Sequence, residues 1–357
     1  MKLIESGILQ KFTAKVFIHY GFNEIQAHDA ASVLITADLR GIDSHGVARL
    51  AGYVRQIEQG KIKPDAVFTI EHETLSTATL NAGGGLGLLS APHAMKIAVE
   101  KAKKCGSGFV AVNNSSHFGI AAAHSKIALE HEMIGIALTN ASPLVAPAGS
   151  VQPMLGTNPI CVGIPGRKTP FVLDMATTVV ANGKLEIAER KGEKIPHGYV
   201  QKSNGSPSDN PSELKNGGTL LPLGGSMDHA SYKGYGLGSL VDILSGVLSG
   251  ANFGPWVPPF VGFLDTKQEM VGQGIGHFLG AIRIDAFRTK DDFYNSMDQW
   301  MKAMKAAKTD PQTEKVLIPG EPEDETHSKR VKQGIPLNEK VLEKLNELAA
   351  KTNQNSL

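Results

Sequence analysis

The sequence predicts a mixed α/β fold, and three observations support this class. Apolar residues recur at helical spacing near both ends of the chain. Between residues 66 and 138, short apolar runs typical of strands alternate with longer helical patterns. With 357 residues, 41% of them hydrophobic, the chain can also bury a large core in two domains or in one domain with an insertion.

The two ends of the chain are predicted to be mainly helical. Ile8, Phe12 and Val16 lie at helical spacing, and further helices are expected over residues 24–39 and 49–59. A last helix is expected over residues 339–350. One of its faces carries apolar residues that must pack against another part of the protein, and the N-terminal helices are candidates. The apolar residues on that face are Val341, Leu345 and Leu348.

The middle of the chain is predicted to combine strands, helices and long loops. Strands are expected over residues 68–70, 76–80, 109–112, 134–138, 160–164, 171–173 and 277–284. Helices are expected over residues 91–104, 120–132, 238–248 and 291–307, and a charged loop over 320–330. We therefore predict a helical domain made of residues 1–74 and 306–357, and an α/β domain over 75–305 with a loop-rich inserted part at about 140–230.

The charge balance argues against nucleic acids and membranes as partners. Lys and Arg number 36 and Asp and Glu number 35, so the formal net charge is +1. The longest apolar run, residues 237–253, contains Asp242 and is too short to span a bilayer. We expect small molecules or further copies of the chain as partners.

The cysteines and the N-terminus predict a cytoplasmic protein. Lys2, Glu5 and Lys11 interrupt any apolar stretch of signal-peptide length. Cys105 and Cys161 are far apart and fit reduced thiols better than a disulfide or a metal site. No metal site is predicted, because the 12 histidines form no H-E-x-x-H motif or comparable pair.

Two glycine-rich segments are candidates for binding phosphate groups. Residues 85–90 (Gly-Leu-Gly-Leu-Leu-Ser) approach a Rossmann fingerprint, but the strand expected after them ends in Asn113-Asn114 rather than in an acidic residue, which favours a simple turn. Residues 233–238 (Lys-Gly-Tyr-Gly-Leu-Gly) open the helix expected over 238–248. Free N–H groups and a lysine could hold a phosphate there, or the lysine could be merely solvated.

Two polar clusters are candidates for catalysis and substrate binding. His117 lies on a strand-to-helix turn, where the helix dipole keeps imidazole neutral and able to act as a general base, although a lone histidine is often structural. Arg49 could grip a carboxylate in two parallel hydrogen bonds, with Ser44 and His45 adding donors. Alternatively, Ser44 only caps the helix that carries Arg49.

An ordered series of motifs resembles the type-2 malate/L-lactate dehydrogenase family, which also contains ureidoglycolate and sulfolactate dehydrogenases and cyclic imino acid reductases. The series covers most of the chain, and its order makes the resemblance specific. The matching segments are 43–47 (DSHGV), 115–119 (SSHFG), 155–160 (LGTNPI), 173–177 (LDMAT), 222–225 (PLGG), 233–237 (KGYGL), 319–321 (PGE) and 334–337 (GIPL).

The resemblance implies a nicotinamide-binding fold that is not Rossmann and a homodimer with the active site near the subunit contact. It implies hydride transfer between the cofactor and a small 2-hydroxy acid, with NAD as the expected cofactor and NADP as the alternative. His117 is then the acid/base, and Ser44, His45 and Arg49 bind the substrate carboxylate. The implied cofactor-binding residues are Asn140, Ala141, Ser142, Asp174, Met175, Ala176, Lys233, Gly234, Gly276, His277 and Phe278.

The sequence departs from the family pattern at two places. Tyr232 stands where relatives usually have histidine, and residues 199–202 (Tyr-Val-Gln-Lys) replace a Trp-Ala-x-Asp run. The change from a carboxylate to Lys202 alters the charge of a loop. Two alternative functions follow from the same scaffold: reduction of the C=N bond of cyclic imino acids, or binding without catalysis.

Overall fold

The computed structural model describes residues 2–267 and 269–357. The helices are α1 (Ser6–His19), α2 (Glu24–Leu39), α3 (Leu50–Glu58), α4 (Gly87–Cys105), α5 (Ala121–Leu129), α6 (Asn182–Lys191), α7 (Ser231–Asp242), α8 (Lys290–Lys305), α9 (Glu321–Gln333) and α10 (Glu339–Lys351). The strands are β1 (Lys2–Ile4), β2 (Thr69–Glu73), β3 (Thr77–Asn81), β4 (Ser107–Ser115), β5 (Met133–Thr139), β6 (Ile160–Ile164), β7 (Phe171–Met175), β8 (Val200–Gln201), β9 (Pro207–Ser208), β10 (Thr219–Leu220), β11 (Ile275–Arg283) and β12 (Ile335–Leu337).

A seven-stranded mixed sheet forms the centre of the fold, in the order β2-β3-β4-β11-β5-β6-β7. Within the described residues, β3 and β4 are its one parallel pair, and the other neighbours are antiparallel. A Rossmann fold needs a mostly parallel sheet, so the predicted non-Rossmann α/β class is confirmed. The alternating apolar side chains of β4 and β11 meet the buried face of α4, whose Met95 and Ala98 are fully covered.

A second apolar core joins the two ends of the chain. The buried faces of α1, α2 and α3 pack together with α10, and β1 pairs antiparallel with β12. Leu345 of α10 is buried in this core, which confirms that the apolar stripe of the last helix packs against the N-terminal helices. Burial of this stripe stabilises α10, whose other residues are mostly exposed.

Residues 140–230 contain a helix that the sequence prediction missed. Helix α6 has no side-chain cap at Ala181 and is polar overall, so periodicity gives it little signal. It is fixed instead by tertiary contacts. Leu185 is buried, and Gly183 lies so close to Ser44 that a Cβ atom on it would be 2.2 Å from the Ser44 Cβ. The rest of this region holds the small sheet β10-β8-β9 and loops.

The predicted loop over residues 320–330 is wrong, because all of these residues after Gly320 belong to helix α9. Its first turn holds Pro322 and three acidic residues, and its last turn is basic, as suits a helix dipole. None of its residues is fully buried. Ion pairs with the N-terminal helical part anchor it instead, through Arg40–Asp324 and Asp43–Arg330.

Helix α7 also differs from its prediction. It begins at Ser231 rather than at residue 238 and continues into a π-helical turn over Ile243–Val247. Gly234 allows this start, because a Cβ atom there would lie 2.3 Å from the Leu223 backbone nitrogen. The glycine therefore serves close packing of the helix on a neighbouring segment.

Candidate active site

One cavity of about 480 Å³ brings together the candidate catalytic and substrate-binding residues with part of the candidate cofactor-binding set. It lies between the N-terminal helical part, the start of α5, the end of β7 and the segment before α9. The candidate residues that line it are Ser44, His45, Arg49, His117, Ala141, Ser142, Asp174, Met175 and Ala176. Residues 45 and 117 in particular are 72 positions apart in the chain, yet their rings stack with centroids 5.8 Å apart.

His117 lies on the turn between β4 and α5, as predicted, and neighbouring groups fix its ring. Its Nδ1 atom is 2.6 Å from the Tyr53 hydroxyl oxygen and 3.3 Å from the Gly119 nitrogen. In the tautomer with its proton on Nδ1, the imidazole donates that proton to the Tyr53 oxygen. The Phe260 ring stacks on the imidazole at 4.4 Å. Gly87 makes room for this turn, because a Cβ atom there would lie 2.1 Å from the Ser116 carbonyl oxygen. These contacts leave Nε2 as the nitrogen that remains for a ligand.

The surroundings keep His117 neutral. Burial lowers the pKa of His117 well below its ordinary value, and the neighbouring His45 and Arg49 lower it further. A neutral imidazole can accept a proton from a hydroxyl group. His117 is half-buried rather than sealed, so a ligand in the cavity can reach it.

Ser44 and His45 form a small hydrogen-bonded unit on the same wall. The Ser44 hydroxyl is 2.8 Å from His45 Nδ1. Burial lowers the pKa of His45 to about 3, with a further contribution from Arg49. A neutral His45 can donate a hydrogen bond to a substrate oxygen without carrying a charge.

The loop that carries Ser44 and His45 is held by the buried Asp38. The Asp38 carboxyl accepts a hydrogen bond of 2.8 Å from the Val47 N–H. Gly46 is required beside it, because a Cβ atom there would lie 2.0 Å from an Asp38 oxygen. From the outside, Arg330 of α9 donates to the Asp43 carboxylate and to the Asp38 carbonyl oxygen. Helix α9 therefore holds the loop of Ser44 and His45 in place through Arg330.

Burial raises the pKa of Asp38 to about 8, so this carboxyl is protonated in the folded protein near neutral pH. Because the folded protein holds this proton more tightly than the unfolded chain does, protonation of Asp38 adds to the free energy of unfolding. This contribution is complete below the pKa of the unfolded chain and is lost as the pH rises through about 8. We expect Asp38→Asn, which keeps an acceptor for Val47 but does not titrate, to lose less stability than the wild type between pH 5 and pH 8. Urea unfolding at both pH values measures this. A larger loss in the variant would show that Asp38 is charged when folded.

Arg49 faces the cavity but already has a partner. Its guanidinium makes a two-point ion pair with Glu186 of α6, at 3.0 and 2.9 Å, and its Nε donates to the Ser44 carbonyl oxygen at 2.6 Å. One N–H of each terminal nitrogen stays available, since a guanidinium has five N–H donors. Arg49 can therefore bind a carboxylate while Glu186 holds its other edge.

Five cofactor candidates line the cavity. Asp174 is the residue before the last of β7, and its carboxyl group accepts a hydrogen bond of 2.8 Å from the Ala122 N–H in the first turn of α5. Burial raises the pKa of Asp174 to about 6. The Ser142 hydroxyl accepts from the Phe260 N–H at 2.9 Å. The other three are Ala141, Met175 and Ala176.

Four other cofactor candidates lie away from the cavity wall, three of them buried and Phe278 half-buried. Asn140 is buried, and its amide joins Asp242, the Asn252 carbonyl and the Gly276 N–H. His277 is fully buried in β11, and Thr139 and Ser115 bind its two ring nitrogens, each at 2.8 Å. Phe278 stacks on Phe109. A Cβ atom on Gly276 would lie 1.8 Å from the Ser245 carbonyl oxygen, so close packing accounts for this glycine.

Lys233 and Gly234 also lie outside the cavity of their own chain, in the first turn of α7. Lys233 is exposed. The two departures from the family pattern are exposed as well: Tyr232 lies beside Lys233 on α7, and Lys202 follows β8. The side chain of Lys202 therefore does not contribute to the cavity wall.

Several residues of the site were missed by sequence reasoning. Tyr53 lies one helical turn after Arg49, so an i, i+4 comparison could have placed both on one face of the helix predicted over residues 49–59. Glu186 and Phe260 reach the site through tertiary contacts that leave no local signal. Residues 319–321 were noted as a motif without a role, and the segment 317–320, which overlaps them, lines the cavity beside Glu323.

Other features of the described residues bear on function only indirectly. No group of three or more metal-ligating side chains occurs among residues 2–267 and 269–357. Over the same residues, no helix has the length and apolar character needed to cross a membrane. Cys105 is exposed, Cys161 is buried, and both are free thiols.

Comparison with known proteins identifies the family. Residues 4–346 match the profile of the malate/L-lactate dehydrogenase family. The chain is 44% identical to a malate dehydrogenase of Pyrococcus abyssi, over 96% of this chain and 92% of the relative. It is 41% identical to a malate/(S)-sulfolactate dehydrogenase of Methanothermus fervidus, over 95% of each. Its fold superposes on the solved malate dehydrogenase of Pyrococcus horikoshii OT3 with a TM-score of 0.91 at 37% identity, covering 100% of this chain and 97% of the other. The chain belongs to the malate/L-lactate dehydrogenase family.

Proposed function

We propose that this protein is a nicotinamide-dependent oxidoreductase that transfers a hydride between its cofactor and C2 of a small 2-hydroxy acid. One observation carries the proposal: a neutral imidazole, His117, and a carboxylate-binding side chain, Arg49, face one cavity. A 2-hydroxy acid presents a carboxylate next to the carbon that bears the hydroxyl, so both protein groups can engage it together. The names of the relatives support malate or sulfolactate as the type of substrate.

Different residues of the cavity bind the substrate and transfer the proton. Arg49 binds the substrate carboxylate, and Ser44 and His45 add hydrogen bonds, which together orient C2. Nε2 of His117 accepts the hydroxyl proton while the hydride leaves C2. In the direction of reduction, protonated His117 returns the proton to the keto oxygen. Tyr53 and Phe260 hold the ring in place.

The cavity fits a nicotinamide cofactor, which when bound accepts or donates the hydride. Carboxylates of Asp174 and Glu323 can accept hydrogen bonds from ribose hydroxyls, and the hydroxyl of Ser142 offers a further polar contact. Val172 and Ile318 supply apolar wall against which a ring can pack. We favour NAD over NADP, because Asp174 and Glu323 can accept hydrogen bonds from ribose hydroxyls, one of which a 2′-phosphate replaces in NADP.

We expect Tyr53→Phe to reduce kcat about five- to tenfold, the worth of one hydrogen bond that orients His117. KM should change little, because the carboxylate-binding groups are intact. Steady-state kinetics measure both constants, with Tyr20→Phe as the matched control, since the Tyr20 hydroxyl bonds Glu58 on the surface. A change in KM without a change in kcat would contradict the role given to Tyr53.

A homodimer is proposed on the apolar surface of α7 and its π-helical turn. Leu240, Ile243 and Val247 lie on one helical face and are 49%, 53% and 50% exposed, which is unusual for a free surface. A second copy of the chain is the expected occupant. Lys233 is on the same helix, so pairing would bring this cation to the subunit contact.

We expect the wild type to be a dimer in light scattering after gel filtration, and Ile243→Glu to be a monomer. Ile25→Glu is the control, because Ile25 on α2 is even more exposed than Ile243 and lies far along the chain from α7. A monomeric wild type would contradict the proposed dimer.

A cytoplasmic location is also proposed, because the free thiols fit a reducing compartment. The small-molecule cavity supports small molecules as partners, rather than nucleic acid or a membrane.

The proposed reaction is tested by a spectrophotometric screen of the purified protein. Reduced NAD and reduced NADP are each paired with oxaloacetate, sulfopyruvate, pyruvate and a cyclic imine carboxylate. Oxidation of reduced NAD with a 2-keto acid supports the proposal. Activity with the imine alone would favour the C=N reductase, and cofactor binding without any turnover would favour a binding protein.

A further inference from the structure

A second cleft, of about 450 Å³, lies on the other side of Arg49 from the substrate cavity. It is formed by α3, α6, α10 and the segment around Phe260. The two cavities share four wall residues: Arg49, Asn182, Phe260 and Val261. The side chain that is proposed to bind the substrate carboxylate is therefore the partition between them.

The cleft is strongly cationic in a protein whose net charge is only +1. Its charged wall residues are Arg49, Arg55, Arg190, Lys215, Lys340, Lys344, Glu186 and Glu189. Both carboxylates are already neutralised there, Glu186 by Arg49 and Glu189 by Lys215. Among the described residues, no carboxylate lies within ion-pair distance of the other four cations.

These cations all line the cleft, and contacts with neighbouring groups hold some of them there. Arg55 is held by the Phe260 carbonyl oxygen at 2.6 Å, which fixes its guanidinium without neutralising it. Gly262 keeps the adjacent wall open, because a Cβ atom there would be 3.0 Å from Arg55 Nη1. Lys340 donates to the Arg190 carbonyl oxygen at 3.3 Å, so α10 and α6 meet at this site. A concave surface with several unpaired cations concentrates positive potential.

We propose that this cleft binds a small anion with two or more negative charges, of the phosphate or polycarboxylate type, and that its occupancy weakens substrate binding at Arg49. The sign of the effect follows from charge. An anion behind Arg49 attracts the guanidinium and repels the substrate carboxylate on its other side. The bound anion raises the KM for the 2-keto acid, and the substrate in turn weakens binding of the anion.

Binding is tested by isothermal titration calorimetry of the full chain with sodium pyrophosphate and, separately, with citrate, at an ionic strength matched with sodium chloride. The double variant Arg190→Gln/Lys344→Gln is compared with Lys302→Gln, which neutralises an exposed lysine of α8 outside the cleft. We expect saturable binding to the wild type and to Lys302→Gln, and binding roughly tenfold weaker or more to the double variant. The relative affinities of the two anions identify the preferred chemistry.

The absence of saturable binding of both anions to the wild type would overturn the proposal, and so would equal affinity of the wild type and the double variant. Equal affinity would place the anion elsewhere, for example in the substrate cavity, which the double variant leaves intact. The binding experiment does not depend on the proposed reaction.

A second, kinetic experiment does rest on the proposed reaction. Pyrophosphate or citrate should raise the KM for the 2-keto acid about fivefold or more in the wild type and not in the double variant. An unchanged KM with the cleft occupied would overturn the coupling to Arg49.

Discussion

His117→Ala is expected to lower kcat by a factor of about 10²–10⁴, the usual contribution of a positioned acid or base. The reason is that the substrate hydroxyl then has no acceptor for its proton, while water replaces the imidazole poorly. The affinity for reduced cofactor should stay close to that of the wild type. Stopped assays with high enzyme concentration measure the residual kcat, and fluorescence titration measures cofactor binding.

The matched control is His131→Ala, because His131 is an exposed histidine after α5 and does not line the cavity. Its kcat should equal that of the wild type. Undiminished turnover of His117→Ala would remove His117 from the acid/base role. In that case His45, which stacks on His117, is the next candidate for proton transfer.

Arg49→Ala is expected to lower kcat/KM about 30-fold or more, chiefly through KM, because a charge-assisted hydrogen bond to the substrate carboxylate is lost. The substitution also leaves Glu186 without its cation beside the cavity, so its carboxylate repels the substrate. Arg49→Lys should lie between the wild type and Arg49→Ala, since lysine keeps the charge but not the planar fork. Initial rates over a range of keto acid concentrations give both constants.

Glu186→Gln separates the two effects of Arg49→Ala. It removes the negative charge but leaves the Arg49 guanidinium free for the substrate, so we expect a KM at or below that of the wild type. A KM raised as strongly as in Arg49→Ala would show that the ion pair positions Arg49 and that the carboxylate contact alone does not account for the loss. A thermal unfolding control shows whether either substitution changes stability.

The elements that could be predicted from the sequence are those with a clear pattern of apolar residues within their own segment. Strands β6 and β4 are short apolar runs, and α10 carries an apolar stripe at helical spacing, so their periodicity was sufficient. Helices α6 and α9 were not predicted, because both are polar over most of their surface. Their stability comes from contacts such as Arg40–Asp324, whose partners are distant in sequence.

The candidate site was predicted in part for the same reason. His117 and Arg49 could be named because their residue types and local turns suggest chemistry, and the motif series supplied the family. The sequence could not show that Glu186 occupies one edge of Arg49 or that Tyr53 binds Nδ1 of His117. The sequence also could not show which cofactor candidates line the cavity: Asp174 does, whereas His277 is enclosed in the sheet.

By itself, the sequence determined the α/β class, the family and the residue types available for acid/base catalysis and carboxylate binding, because periodicity and motifs are properties of neighbouring residues. Only the tertiary structure decided which of those residues share a cavity, which carboxyl and imidazole groups lose their charge by burial, and that a cationic cleft lies behind Arg49. Distance, burial and electrostatic potential depend on segments that are far apart in the chain and meet only when it folds.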